Sequence, residues 1–127
     1  MRRDKNDIEW QTVKEEVRAR DKVDRILKIL TIKEALLLQR KAPRMLLKKL
    51  DCAHVFPVSI YPDCTYNLNN IVLLNRYSHS NLDNLLHPIT GDPITYTERQ
   101  LWWCNILGDR QWGKLMHSLG DVDESSS

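Results

Sequence analysis

The sequence predicts a mainly helical α+β domain, and three observations carry that prediction. Residues 1–50 repeat apolar side chains at helical spacing with charges between them. Residues 51–74 hold two short apolar segments, "CAHVFPV" and "IVLL", separated by the Pro- and Asn-containing loop "YPDCTYNLNN". Residues 97–119 return to a helical pattern that includes Trp102, Trp103 and Trp112. At 127 residues the chain has the size of one domain, and with 42% hydrophobic residues it can bury a core.

The elements follow in order. Ile8, Val13 and Val17, then Val23, Ile26, Leu27 and Leu30, keep one stripe apolar and predict a first helix over about 7–30. Thr31 with Glu34 forms a capping box, so "TIKEALLLQRK" either starts a new helix or continues the old one. Pro43 suits the first turn of another short helix, "PRMLLKKL". A strand then runs into Pro57, the loop follows, and "IVLL" is a second strand. "RYSHSNLDNLL" at 76–86 is helical, with Leu82, Leu85 and Leu86 on one side. Beyond the loop "HPITGDPIT", Thr97 and Gln100 form a second capping box, and Gly108 ends that helix. A last helix, "RQWGKLMHSL", stops at Gly120. The organisation expected is a single domain over 1–120, comprising a basic helical region 1–50, a central unit 51–86 and C-terminal helices 97–119, with a disordered acidic tail at 121–127.

Charge divides the chain. Residues 1–50 hold 15 Lys and Arg against 8 Asp and Glu, whereas residues 51–127 hold 4 against 9. A basic half suits a phosphate backbone, and an acidic half with histidines suits a divalent cation, although solvated helix faces would give the same count. "MRRDKNDIEW" has no apolar stretch of the kind a signal peptide needs, and no later run is long enough for a membrane span, so a cytoplasmic protein is expected. Cys52, Cys64 and Cys104 form no CxxC pair and suggest reduced thiols rather than a disulfide framework or a zinc site. Cys52 and His54 share a strand face, but without further cysteines nearby they do not make a soft-metal site. His87, in a loop before Pro88, and His117, in the last helix, read as non-catalytic, and the three tryptophans read as core.

The polar residues of the central unit fall together. His54 lies near the end of the first strand, Asn70 at the entrance to the second, and His79 in the first turn of the following helix. Asp83, four residues after His79, shares its helix face. Two imidazoles, an amide and a carboxylate in one cleft suit phosphodiester hydrolysis with one divalent ion. A neutral histidine takes a proton from water, the ion stabilises charge on the phosphate, and the amide holds the imidazole in the right tautomer.

These residues carry a resemblance. "DCAHVFPVSIYPDCTYNLNNIVLLNRYSHSNLDN" resembles the His-Asn-His (HNH) endonuclease motif, the ββα-metal fold, over 34 residues. It is most similar to the branch with an acidic residue three before the first histidine, an alanine just before it, and a final H-x-x-x-D. "EWQTVKEEVRARDK" also resembles the segment that precedes the motif in phage members. The resemblance implies that His54 is the general base, that Asn70 braces it, and that His79, with Asp83 and Asp51, surrounds one Mg²⁺ or Mn²⁺. It implies DNA as partner through backbone contacts with weak sequence preference, with Arg40, Lys41, Arg44, Lys48, Lys49 and Arg76 as the contacting residues.

Two departures qualify it. Many members hold a structural zinc on two CxxC pairs, but here the corresponding regions read "DRILKIL" and carry Asn75 and Ser78, so no structural zinc is expected. The residue before the base is often an acidic ligand, and here it is Ala53. Asp51 is the substitute, yet in a regular strand residues 51 and 54 point to opposite faces, so a bulge or bend is expected. The alternatives are an HNH fold without chemistry that binds nucleic acid or a protein partner such as a host defence factor, and a helical protein matching by chance, in which His54 and His79 lie far apart.

Overall fold

All four residues of "IVLL" are buried, because the sheet they belong to is covered on both faces. The computed structural model describes residues 8–42 and 50–125. Strands β1 (Asp51–His54) and β2 (Ile71–Leu74) pair antiparallel, Asp51 opposite Leu74 and His54 opposite Ile71. Side chains alternate along β2. Ile71 and Leu73 pack with Val13 and Val17 of α1 (Ile8–Asp21), while Val72 and Leu74 enter the main core with Ala53, Leu82, Trp103 and Leu115. The order is helices, two strands, helices, which bears out a mainly helical α+β fold.

The predicted first helix stops earlier than its apolar stripe. α1 ends at Asp21, Lys22 takes a left-handed backbone at φ 65°, and Arg25–Lys28 form a separate 3₁₀ turn. The physical reason lies in two aspartates. Asp24 is buried and caps the turn by accepting from the Ile26 N–H, an alternative to helix that local side-chain bonding favours. Asp21, also buried, accepts from the Leu73 N–H at 2.9 Å and from both Arg20 and Arg25. Val23 and Leu27, counted in the stripe, are exposed.

α2 (Ile32–Lys41) is a new helix that begins with the Thr31–Glu34 capping box, both reciprocal bonds present. The short helix expected from Pro43 lies outside the described residues. α3 (Arg76–Asp83) starts from Asn75, whose side chain accepts from the Ser78 N–H, and ends at Asn84 and the left-handed Leu85, earlier than expected. α4 (Tyr96–Ser125) begins one box earlier than the sequence suggested: Thr95 and Glu98, not Thr97 and Gln100, make the reciprocal bonds, at 3.1 and 2.7 Å. Gly108, at φ 83° and ψ 161°, breaks this helix as expected. The carbonyls of Ile106 and Leu107, left open by the break, accept from the Arg25 guanidinium at 3.1 and 2.7 Å. α4 continues past Gly120 to Ser125, over residues assigned above to a tail. Trp103 is buried, and Trp102 and Trp112 pack against the core.

Candidate functional site

β1 ends at His54, where the chain turns into the long loop between the strands. The turn is held by Asn70. Its side-chain oxygen accepts from the Phe56 N–H at 2.8 Å, and its amide donates to the carbonyls of Phe56 and Cys64. The Asn70 amide therefore clamps the backbone on both sides of the loop, whereas the chemistry of the central unit suggested that it bonds the imidazole. The Thr65 carbonyl bonds the ring, lying 2.9 Å from His54 Nε2. A carbonyl only accepts, so Nε2 carries a proton and donates it to Thr65.

Helix α1 fixes the plane of that ring. Trp10 stacks on His54 with centroids 5.2 Å apart and planes 16° from parallel, and Lys14 Nζ lies 5.7 Å from the Trp10 ring centre. Trp10 was not singled out in the sequence; its signal was the position of an aromatic residue one turn before Val13 and Val17, on the stripe that faces the sheet.

The second histidine sits between acids. His79 Nδ1 is 3.1 Å from Asp51 Oδ2, and Nε2 is 3.3 Å from Asp83 Oδ2. Asp51 also accepts from Arg76, at 3.2 and 3.4 Å. Burial works against a charged His79, but Asp83 and Asp51 outweigh it and raise its pKa above the ordinary 6.5. Burial likewise opposes ionisation of Asp51, and the bonds from His79 and Arg76 overcome it and lower its pKa. β1 carries no bulge, so Asp51 and His54 point to opposite faces of it, and Asp51 is not among the residues that line the cavity with His54. β1 pairs in regular register, and Asp51 reaches His79 because it shares a face with Ala53, the face on which α3 lies.

His54, His79 and Asp83 line one cavity of about 560 Å³, so the two histidines are not far apart in the fold. Arg99 and Tyr96, from the start of α4, line it too. Arg99 donates to the Leu82 carbonyl at 3.2 Å and lies 5.2 Å from the centre of the Tyr96 ring. Neither residue stood out in the sequence, because nothing local ties the start of α4 to the end of α3. Cys52 also lines the cavity, but burial pushes its thiol pKa up, which disfavours a thiolate ligand or nucleophile there. His87 Nδ1 accepts from the Ile89 and Thr90 N–H groups.

An imidazole nitrogen beside a carboxylate is a mixed donor pair: the nitrogen suits borderline transition ions and the carboxylate oxygen suits hard ones. His79 presents opposite ring edges to Asp51 and Asp83, so with the ring as it lies one ion takes one pair or the other. Among the described residues no group of three or more His, Cys, Asp or Glu side chains is arranged to hold a metal ion. Of the candidate nucleic-acid contacts, Arg40 and Lys41 are exposed at the end of α2, and Arg76 is exposed beside Asp51. Arg44, Lys48 and Lys49 lie outside the described residues. No helix of the described residues is long and apolar enough to cross a membrane. Comparisons of the chain with protein-family models, with curated proteins and with solved structures gave no match.

Proposed function

We propose that this protein is a metal-dependent endonuclease of the HNH type that hydrolyses phosphodiester bonds in DNA. The observation that carries the reading is the placement of His54: Nε2 donates to the Thr65 carbonyl, which holds the ring in a cavity shared with His79 and Asp83. His54 takes a proton from the attacking water; the water oxygen bonds to phosphorus, the bond from phosphorus to the leaving oxygen breaks, and the leaving oxygen takes a proton from solvent. Trp10 and the Thr65 carbonyl hold the imidazole still, and Asn70 holds the loop that bears that carbonyl. His79 with Asp51 or Asp83 would hold the metal ion, which would supply Lewis-acid stabilisation of charge on the phosphate. Arg76, Arg40 and Lys41 supply positive charge for the nucleic acid backbone.

A buried polar link stands where the resemblance would place zinc cysteines, and it supports the reading. Asn75 donates to Asp24 at 2.7 Å and to the Ser78 hydroxyl at 3.1 Å, which in turn donates to the Pro88 carbonyl. These bonds tie the turn after α1 to the start of α3, the connection a zinc would otherwise make.

The test is nicking of supercoiled plasmid with Mg²⁺ or Mn²⁺, native protein against His54→Ala. Metal-dependent nicking lost in the variant is the expected result. Folded native protein that cuts with neither ion overturns the reading. A second reading, a binding protein of the same fold without chemistry, is favoured by one observation: both His79 nitrogens are engaged by carboxylates. It predicts DNA retention without cleavage.

A further inference from the structure

We infer that the cavity beside His54 receives an unpaired nucleotide, so that the substrate is single-stranded or locally opened nucleic acid. The inference rests on the nuclease reading above and adds the form of the substrate. The cavity lining is of two chemical kinds: His54, His79, Asp83 and Arg99 are polar, whereas Phe56, Ile60, Tyr61 and Trp103 are apolar or aromatic.

Attack on a phosphate needs only the polar side chains. A duplex presents its phosphates on the outside and keeps its base faces stacked within, so it would leave the apolar side chains without a partner. At about 560 Å³ the cavity falls within the roughly 300–1,000 Å³ of pockets that enclose small organic ligands. A nucleotide swung out of the stack matches both kinds of lining at once: phosphate with the histidines and Arg99, base with the apolar and aromatic side chains.

The rings of the lining suit that base. Phe56 and Trp103 are buried, whereas Tyr61 is 37% exposed and Tyr96, beside Arg99, 57% exposed. Tyr61 meets Phe56 edge-on, with centroids 5.5 Å apart at 70°. Arg99 is already oriented by its bond to the Leu82 carbonyl and its position over Tyr96. Base stacking on exposed aromatic rings and guanidinium planes is how proteins hold single strands without reading sequence.

The experiment uses the full chain carrying His54→Ala, which binds without cutting. Fluorescence anisotropy compares a labelled single-stranded oligonucleotide with the duplex of the same sequence at one salt concentration. The expected result is tighter binding of the single strand by about tenfold or more, with Tyr61→Ala and Tyr96→Ala each weakening it about five- to fiftyfold and leaving duplex binding unchanged. Both tyrosines are partly exposed, and an unchanged urea midpoint shows that the variants fold. Duplex binding equal to or tighter than single-strand binding overturns the inference, as does single-strand binding indifferent to both substitutions. Plasmid nicking without single-strand preference removes this inference alone; single-strand preference without nicking by the native protein removes the nuclease alone.

Discussion

Replacing Asp21 tests how the N-terminal helix is held against the sheet, and the structure gives the magnitude. The Asp21 side chain is fully buried; Oδ1 lies 2.6 Å from Arg20 Nε and 2.7 Å from Arg25 Nη1, and Oδ2 accepts from the Leu73 N–H at 2.9 Å. Burial opposes its charge, but Arg20, the Leu73 N–H and Arg25 together hold its pKa below the ordinary 3.8. Arg20 is one-third exposed and regains water when the carboxylate is lost, so its share is discounted. Arg25, 13% exposed, and the Leu73 N–H have no such recourse. Asp21→Ala should therefore cost about 3–5 kcal/mol, the range for removing one member of a buried ion pair, out of a total of about 5–15 for a domain. Asp21→Asn retains an acceptor for Leu73 and should cost about 1.5–3 kcal/mol. Urea unfolding followed by circular dichroism measures both. The pKa is depressed in the folded state, so the native advantage is present above about pH 4 and shrinks as pH falls through the folded value. A loss under about 1 kcal/mol for Asp21→Ala near neutral pH, or a gap unaffected by acid, would refute the reasoning.

Three further expectations concern the site. Asn70→Ala strips three bonds from the loop backbone and should lower stability by about 2–4 kcal/mol in urea; a change near zero would mean the clamp is dispensable. Trp10→Ala should cut plasmid nicking about tenfold or more while Trp10→Phe retains most of it, because the ring orients His54; equal rates for both would assign Trp10 to packing alone. In metal-free protein the His79 contribution to stability should be complete below about pH 6.5 and fade as pH rises through its raised pKa, a trend that His79→Ala abolishes. A native urea midpoint that keeps the same pH dependence in His79→Ala would show that the two carboxylates do not stabilise the imidazolium.

Much of this protein is determined by interactions within a few residues, and those features were legible in the sequence. The Thr31–Glu34 box, the break at Gly108 and the buried strand Ile71–Leu74 each follow from a local hydrogen bond, one permitted φ or a short apolar run. So was the ordering of His54, Asn70, His79 and Asp83 along a strand, a loop and a helix. What the tertiary structure decided involves partners far apart in the chain. Asp21 ends α1 because Leu73 offers an N–H and Arg25 a charge; Arg25 in turn caps carbonyls more than 80 positions away. Asp51 meets His79 along a straight strand because α3 packs on that face, a fact no strand periodicity contains. The Thr65 carbonyl and the Trp10 ring set the proton position and plane of His54, and neither leaves a mark at His54 itself. Backbone acceptors have no sequence identity, and buried charges are tolerated only where the fold supplies opposite charge or hydrogen bonds. The apolar pattern therefore marks where the chain is covered, while the tertiary packing alone determines which polar groups meet beneath that cover.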